Sequence, residues 1–168
     1  MLTSAAMNCY VLTGGRSRRM GRSKASLFLD RIMNAARPVF DEVIVVDHTE
    51  SETHAAIFGV VWALRAAAAP CFILAVDYPL ITSDLLRFVI ERNAVPMWNG
   101  VPQLLCAVWD SALLPEIERR IAAGCLDLRG LIEHAIIPES ELRARFSGEP
   151  LMNVNTPAEL EAAERLYG

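Results

Sequence analysis

Leu12-Thr13-Gly14-Gly15-Arg16-Ser17-Arg18-Arg19-Met20-Gly21-Arg22-Ser23-Lys24 follows the apolar run Met7-Asn8-Cys9-Tyr10-Val11-Leu12 and precedes an amphipathic segment that begins near Ala25. The apolar run reads as a buried strand. A glycine pair at its end lets the chain turn sharply with main-chain N–H groups facing outward, and five basic residues crowd positive charge around them. Lys24 is the only lysine in a chain with fifteen arginines, so a compact, mobile ammonium stands where arginine is the habit. Such a loop suits a phosphate. The plainer alternative is a solvated basic turn, since the spacing fits neither the P-loop nor the Gly-x-Gly-x-x-Gly dinucleotide pattern.

Outward from the loop the chain alternates. Ala25 to Phe40 carries a helical pattern through Leu27, Ile32, Met33 and Ala36, cut by Pro38. Val43-Ile44-Val45-Val46 reads as a second buried strand that ends at Asp47. Thr53 to Ala69 is rich in helix formers and stops before Pro70, and Cys71 to Val76 is a continuous apolar strand that ends at Asp77. Strand, helix, strand, helix, strand implies a parallel sheet in a three-layer α/β sandwich. In an open parallel sheet, ligands collect beyond the carboxyl ends of the strands, and the Gly14-Gly15 loop, Asp47 and Asp77 all fall at such ends. Taken singly, each aspartate could equally be a cap or a turn former.

The second half departs from this alternation. Thr82 or Ser83 caps a helix that turns Leu85, Leu86, Phe88 and Val89 inward. Val95 to Trp98, Asn99-Gly100 and Val101 to Trp109 suggest an antiparallel hairpin, with Pro96 and Pro102 keeping the paired region short. Leu113 to Ala123 forms a helix closed by Gly124, and Leu128 to His134 another capped by Asp127. Ala135 to Ile137 reads as a short strand before a polar stretch that reaches Gly148. Thr156, Pro157 and Glu159 form a capping box, so the last helix begins there. Asn153 and Asn155, two apart on an extended segment, face the same side.

At 168 residues and 53% hydrophobic, the chain suits one three-layer domain over residues 1–168. A net charge of −4 argues against a general nucleic-acid surface and makes the basic loop a local exception. Cys9, Cys71, Cys106 and Cys125 include no Cys-x-x-Cys pair and read as reduced core or near-core residues, which points to the cytoplasm. No apolar run approaches the roughly 20 residues that span a bilayer.

Gly-Gly-x-Ser-x-Arg-Met-Gly-x-x-Lys after a strand resembles the signature loop of the nucleotidyltransferases that act on the molybdenum cofactor. Leu12-x-Gly14-Gly15 resembles the guanylyltransferase branch, often called MobA. Asp77-Tyr78-Pro79, Gly100-x-Pro102-Gln103 with the run to Trp109, Gly124 to Leu131 and Asn153-x-Asn155-Thr156-Pro157 follow in family order. The resemblance implies a Rossmann-like fold that transfers GMP from GTP to molybdopterin with Mg²⁺. Molybdoenzymes or other proteins of cofactor biosynthesis are candidate partners, and neither nucleic acid nor membrane is expected. It further implies that Leu12, Thr13, Gly14, Gly15, Lys24, Asp47 and Asp77 bind the nucleotide, that Arg19, Lys24 and Asp77 serve catalysis, and that Asp77 and Asn155 serve the metal.

The chain is shorter than the family pattern in two places. Leu29-Asp30-Arg31 runs almost directly into the first helix. After the second strand, Asp47 stands where the family has an Asn, and the following segment lacks a separate Asp. A carboxylate opposite guanine accepts from N1–H and the exocyclic amine together, which adenine cannot offer. Either Asp47 makes that contact, or base choice rests on main-chain groups near Leu12. Three readings therefore stand beside GMP transfer: a catalytically degenerate nucleotide or cofactor binder, a nucleotidyltransferase of other base specificity (cytidylyltransferase-like) or one acting on another phosphorylated small molecule, and a plain structural domain with a solvated loop.

Overall fold

The computed structural model describes residues 7–13, 22–47, 55–67 and 69–167, with side chains for all of these except 22–27 and 167. Strand β1 (Cys9–Leu12) leads through helix α1 (Arg22–Ala36) to β2 (Val43–Val46), then through α2 (Ala56–Ala67) to β3 (Cys71–Ala75). Both β2 and β3 pair with β1 in parallel. Helix α3 (Ser83–Arg92) follows, then β4 (Ala94–Trp98), β5 (Val101–Pro102), β6 (Cys106–Trp109) and α4 (Leu114–Ala122). Strand β7 (Ala135–Ile137), α5 (Glu139–Arg145) and α6 (Pro157–Tyr167) complete the order. The main sheet runs β2-β1-β3-β6, and a small sheet runs β5-β4-β7. No helix among the described residues is long and apolar enough to cross a membrane.

Side chains on a strand alternate between faces, and this alternation divides the core into two layers. Cys9, Val11, Phe72 and Leu74 face Phe28, Ile32 and Ala36 of α1 and Leu85, Leu86 and Val89 of α3. Tyr10, Leu12, Cys71 and Ile73 face Ile57, Val60 and Leu64 of α2 and Ile117 of α4. Apolar burial at ~25 cal/mol per Å² makes these two faces the main stabilising term. The expected Rossmann-like, mostly parallel three-layer arrangement is present.

Thr82 caps α3 as expected, its hydroxyl accepting from the Leu85 N–H at 3.3 Å. The Asn99-Gly100 turn also forms, with both residues at positive φ. Its second arm, however, divides. Val101 and Pro102 pair with β4, whereas Cys106 to Trp109 leave the hairpin and pair antiparallel with β3. Gln103 N–H donates to the Pro96 carbonyl, the last bond between the arms, and the Ala75 N–H donates to Leu105 O as the chain enters the main sheet.

Leu128 to His134 is not a helix. The Asp127 carboxylate does accept a main-chain N–H, that of Arg129 at 2.9 Å, but this closes a turn. Gly130 then takes φ +73°, and Arg120 holds the loop by donating to the carbonyls of Arg129 and Gly130. Within the polar stretch before Gly148 a helix does form: α5 buries only Leu142 and carries an ion pair between Glu139 and Arg143 at 2.8 Å.

Candidate active site

The carboxyl ends of the three parallel strands are fastened to one another by the residues that leave them. Thr13 donates twice to the Val46 carbonyl, from its N–H at 3.2 Å and its hydroxyl at 3.1 Å, which brings the end of β1 beside Asp47. On the other side the Val76 N–H donates to Leu12 O at 3.1 Å, which brings β1 beside Asp77. The rim therefore reads Asp47, Leu12-Thr13, Asp77 across the sheet.

A distant segment closes on the same rim. The Val154 N–H donates to the Asp77 carbonyl at 2.9 Å. Val154 is fully buried between exposed Asn153 and Asn155, the alternation that an extended segment requires. Glu159 then holds the turn into α6: its carboxylate accepts from the N–H groups of Asn155 at 2.7 Å and Thr156 at 3.1 Å, while Thr156 Oγ1 accepts from the Glu159 N–H at 3.2 Å. The capping box is thus complete, and it orders Asn155 next to Asp77 as well as starting the helix.

Of the residues expected at the site, Leu12, Thr13, Asp47, Asp77 and Asn155 lie along this rim. Leu12 is buried, Thr13 and Asp77 are partly exposed, and Asp47 and Asn155 are exposed. Lys24 stands in the first turn of α1. Gly14, Gly15 and Arg19 lie outside the described residues, as does the Lys24 side chain. His134 is a packing residue, its Nε2 sitting 3.0 Å from Val108 O; His48 and His54 also lie outside the described residues.

The composition of the rim suits a hard cation held mainly by a ligand. Among the described residues no group of three or more His, Cys, Asp or Glu could hold a metal ion alone. One or two carboxylates completed by water and phosphate oxygens suffice for such a cation, and the main-chain bond from Val154 sets the Asn153-x-Asn155 segment beside the turn that carries Asp77.

Two contacts were not legible as such. Gly59 of α2 lies so close to the end of β1 that a Cβ there would sit 3.1 Å from Leu12 Cδ2, so a small residue is what lets the helix seat Leu12. Its place in an otherwise apolar helix was the available signal. Tyr78 and Gln103 lie within motif stretches, but nothing in their spacing announces that the Tyr78 hydroxyl donates to Gln103 Oε1 at 2.8 Å. Burial, with smaller effects of Cys106 and Asp77, pushes the Tyr78 phenol well above its ordinary range and keeps it a donor.

Comparison with known proteins agrees with this geometry. The profile of the MobA-like NTP transferase domain matches residues 9–135. A protein of Pelotomaculum thermopropionicum named probable molybdenum cofactor guanylyltransferase is 31% identical over 189 aligned residues, covering 91% of this chain and 89% of its own. That alignment has more positions than this chain has residues, so the relative carries segments with no counterpart here. A solved structure from Aquifex aeolicus superposes with a TM-score of 0.73 at 28% identity, over 92% of this chain and 96% of that one. Molybdopterin-guanine dinucleotide biosynthesis protein A of Archaeoglobus fulgidus shares the fold, with a TM-score of 0.70 at 22% identity over 95% of this chain and 98% of its own. The rim, the order of its motifs and these relatives together make the chain a nucleotidyltransferase of the MobA-like NTP transferase family.

Proposed function

We propose that this chain, acting as one domain in the cytoplasm, transfers GMP from GTP to molybdopterin with Mg²⁺ as cofactor and releases pyrophosphate. The observation that carries the reading is the Val154 to Asp77 bond, which sets the Asn153-x-Asn155 segment against the rim that already gathers Leu12, Thr13, Asp47 and Asp77. The names borne by relatives that this chain matches over 89% and 97% of their length support the same reaction.

A terminal phosphate oxygen of molybdopterin attacks the α-phosphorus of GTP in line. The bond from that phosphorus to the α,β-bridging oxygen breaks, and its electrons leave with pyrophosphate. Two anions must approach, so positioning and charge neutralisation are the protein's tasks, and no covalent nucleophile is needed. The Gly14 and Gly15 N–H groups hold phosphate oxygens, and Arg19 and Lys24 neutralise the triphosphate. Asp77 and Asn155 would hold Mg²⁺, which would supply charge neutralisation at the phosphate oxygens. Asp47, at the outer end of the rim, accepts from the guanine N1–H and amine.

Thermal unfolding with GTP, CTP, ATP and UTP, each with and without Mg²⁺, tests this. A ligand at ~100 times its Kd adds ~2.7 kcal/mol, or roughly 5–10 °C for a domain of this size. A selective, Mg²⁺-dependent GTP response is expected, and pyrophosphate release on adding molybdopterin completes it. A selective CTP response would move the reading to cytidylyl transfer. Binding without turnover would establish the degenerate binder, which the missing segments favour over a cytidylyltransferase or a plain structural domain. No response to any nucleotide would sink the proposal.

A further inference from the structure

We infer that Gln103 is a positioning residue for Asp77, acting through Tyr78; this rests on the metal role proposed for Asp77. Gln103 lies between the hairpin and β6. Because β6 runs antiparallel to β3, its entry and the exit of β3 share the same rim, as the Ala75 to Leu105 bond shows.

The hydrogen bonds of Gln103 leave one assignment of its amide. Nε2 donates to the carbonyls of Trp98 at 3.2 Å and Val101 at 2.8 Å, so it reaches both sides of the Asn99-Gly100 turn. Both of those partners only accept, so Oε1 is the remaining end, and it accepts from the Tyr78 hydroxyl. Tyr78 is 5% exposed and is the residue after Asp77. The turn that carries Asp77 is therefore pinned at two places: its own carbonyl by Val154, and the next side chain by Gln103. The hairpin is in turn held by Glu139, whose carboxylate accepts from the Gly100 N–H at 3.3 Å. A ligand-holding carboxylate is only as well placed as the groups that fix its turn, and losing such a partner typically costs 10–100-fold in metal affinity or activity.

Two substitutions separate this role from simple hairpin stability. Tyr78→Phe keeps the ring and both hairpin bonds of Gln103 and removes only the link to the Asp77 turn. Gln103→Glu places a carboxylate, which only accepts, against two carbonyls and breaks the whole device. We expect amide hydrogen exchange at Val154 to quicken about fivefold or more in both, while the Val76 amide, bonded to Leu12, keeps its protection. The Mg²⁺ concentration giving half of the GTP-dependent thermal stabilisation should rise about tenfold, with GTP binding in the absence of metal unchanged. Unaltered Val154 exchange in Tyr78→Phe would overturn the inference. So would quickened exchange with an unchanged Mg²⁺ requirement while Asp77→Asn abolishes the metal response, an outcome that leaves the role of Asp77 intact. If instead Asp77→Asn responds to Mg²⁺ and GTP as the parent does, the role of Asp77 fails, whatever the exchange data say about the turn.

Discussion

Val154 N and the Asp77 carbonyl oxygen, 2.9 Å apart, join the exit of β3 to a segment 77 residues further along the chain by a main-chain bond. Because the tie uses the Asp77 backbone, changing its side chain leaves it in place. Asp77→Asn should lower Mg²⁺-dependent GMP transfer about a hundredfold or more while shifting Tm by no more than a few degrees. Steady-state pyrophosphate release and a melting curve on the same sample check both halves. Full turnover in that variant would remove Asp77 from the mechanism.

Glu159 accepts from Asn155 and Thr156, so the start of α6 and the placement of Asn155 share one carboxylate. Thr156→Ala removes only the cap to the Glu159 N–H and should cost about 1 kcal/mol, read by urea unfolding. Glu159→Ala removes the bonds to Asn155 and Thr156 together. It should show a larger loss of kcat than Thr156→Ala at a comparable loss of stability. Equal kcat in the two variants would mean that the box only starts the helix.

Gly59 and Leu12 test the contact between α2 and the end of β1. Gly59→Val introduces side-chain atoms where even a Cβ would lie 3.1–3.2 Å from both Leu12 methyl carbons. The crowding should destabilise by about 1–3 kcal/mol. Since Leu12 must shift, GTP binding should weaken beyond what the stability change explains, as titration well below the variant's Tm would show. Unchanged affinity would mean that the Leu12 side chain has no part in placing the nucleotide.

Cys9, Cys71 and Cys106 are buried and Cys125 is exposed. Burial, then the charge of Asp110, pushes the Cys71 thiol up to about 12, and burial raises Cys9 and Cys106 as well. Thiolate is the reactive form, so iodoacetamide near pH 8 should label Cys125 alone in the native protein and all four thiols in urea. Mass spectrometry of the intact chain reads this directly. Rapid native labelling of Cys106 would contradict its position in the core.

Hydrogen bonds from Arg119 and then Arg120 hold the Glu116 carboxyl below its ordinary range. A depressed folded-state value means that the pair's contribution is present above the unfolded value of about 4.3 and fades as pH falls through the folded value. The difference in Tm between parent and Glu116→Gln should therefore shrink on acidification below that point. Because Glu116 is at the surface, the difference is also expected to shrink in high salt. A gap that stays constant into strong acid would show that the ion pair does not set it.

Where local signals and burial agree, the sequence was readable. Val43 to Val46 forms a strand with the boundaries its apolar run suggests, and Thr156 to Glu159 caps a helix as the capping pattern requires. Asp127 could not be resolved by the same means, because a carboxylate that accepts from a nearby N–H begins a turn as readily as a helix. Only Gly130 at positive φ and the reach of Arg120 decide between them. The division of the hairpin arm at Gln103 is a tertiary event, set by an open edge on β3 about thirty residues earlier in the chain. The rim was legible through Asp47 and Asp77 because strand ends are local. Its fastening through Val154, Tyr78 and Gln103 was not, because long-range bonds leave no periodicity behind.

The reversed direction of β6 has an evolutionary consequence. A parallel strand can contribute to the rim only through the loop by which it departs, whereas this one delivers the loop by which it arrives. Outside Gln103, the hairpin can therefore lengthen, shorten or change its chemistry without altering the loops by which β2 and β3 depart. One backward strand thus leaves a segment free to vary at its tip while its base stays fastened to the exit of β3 through Tyr78.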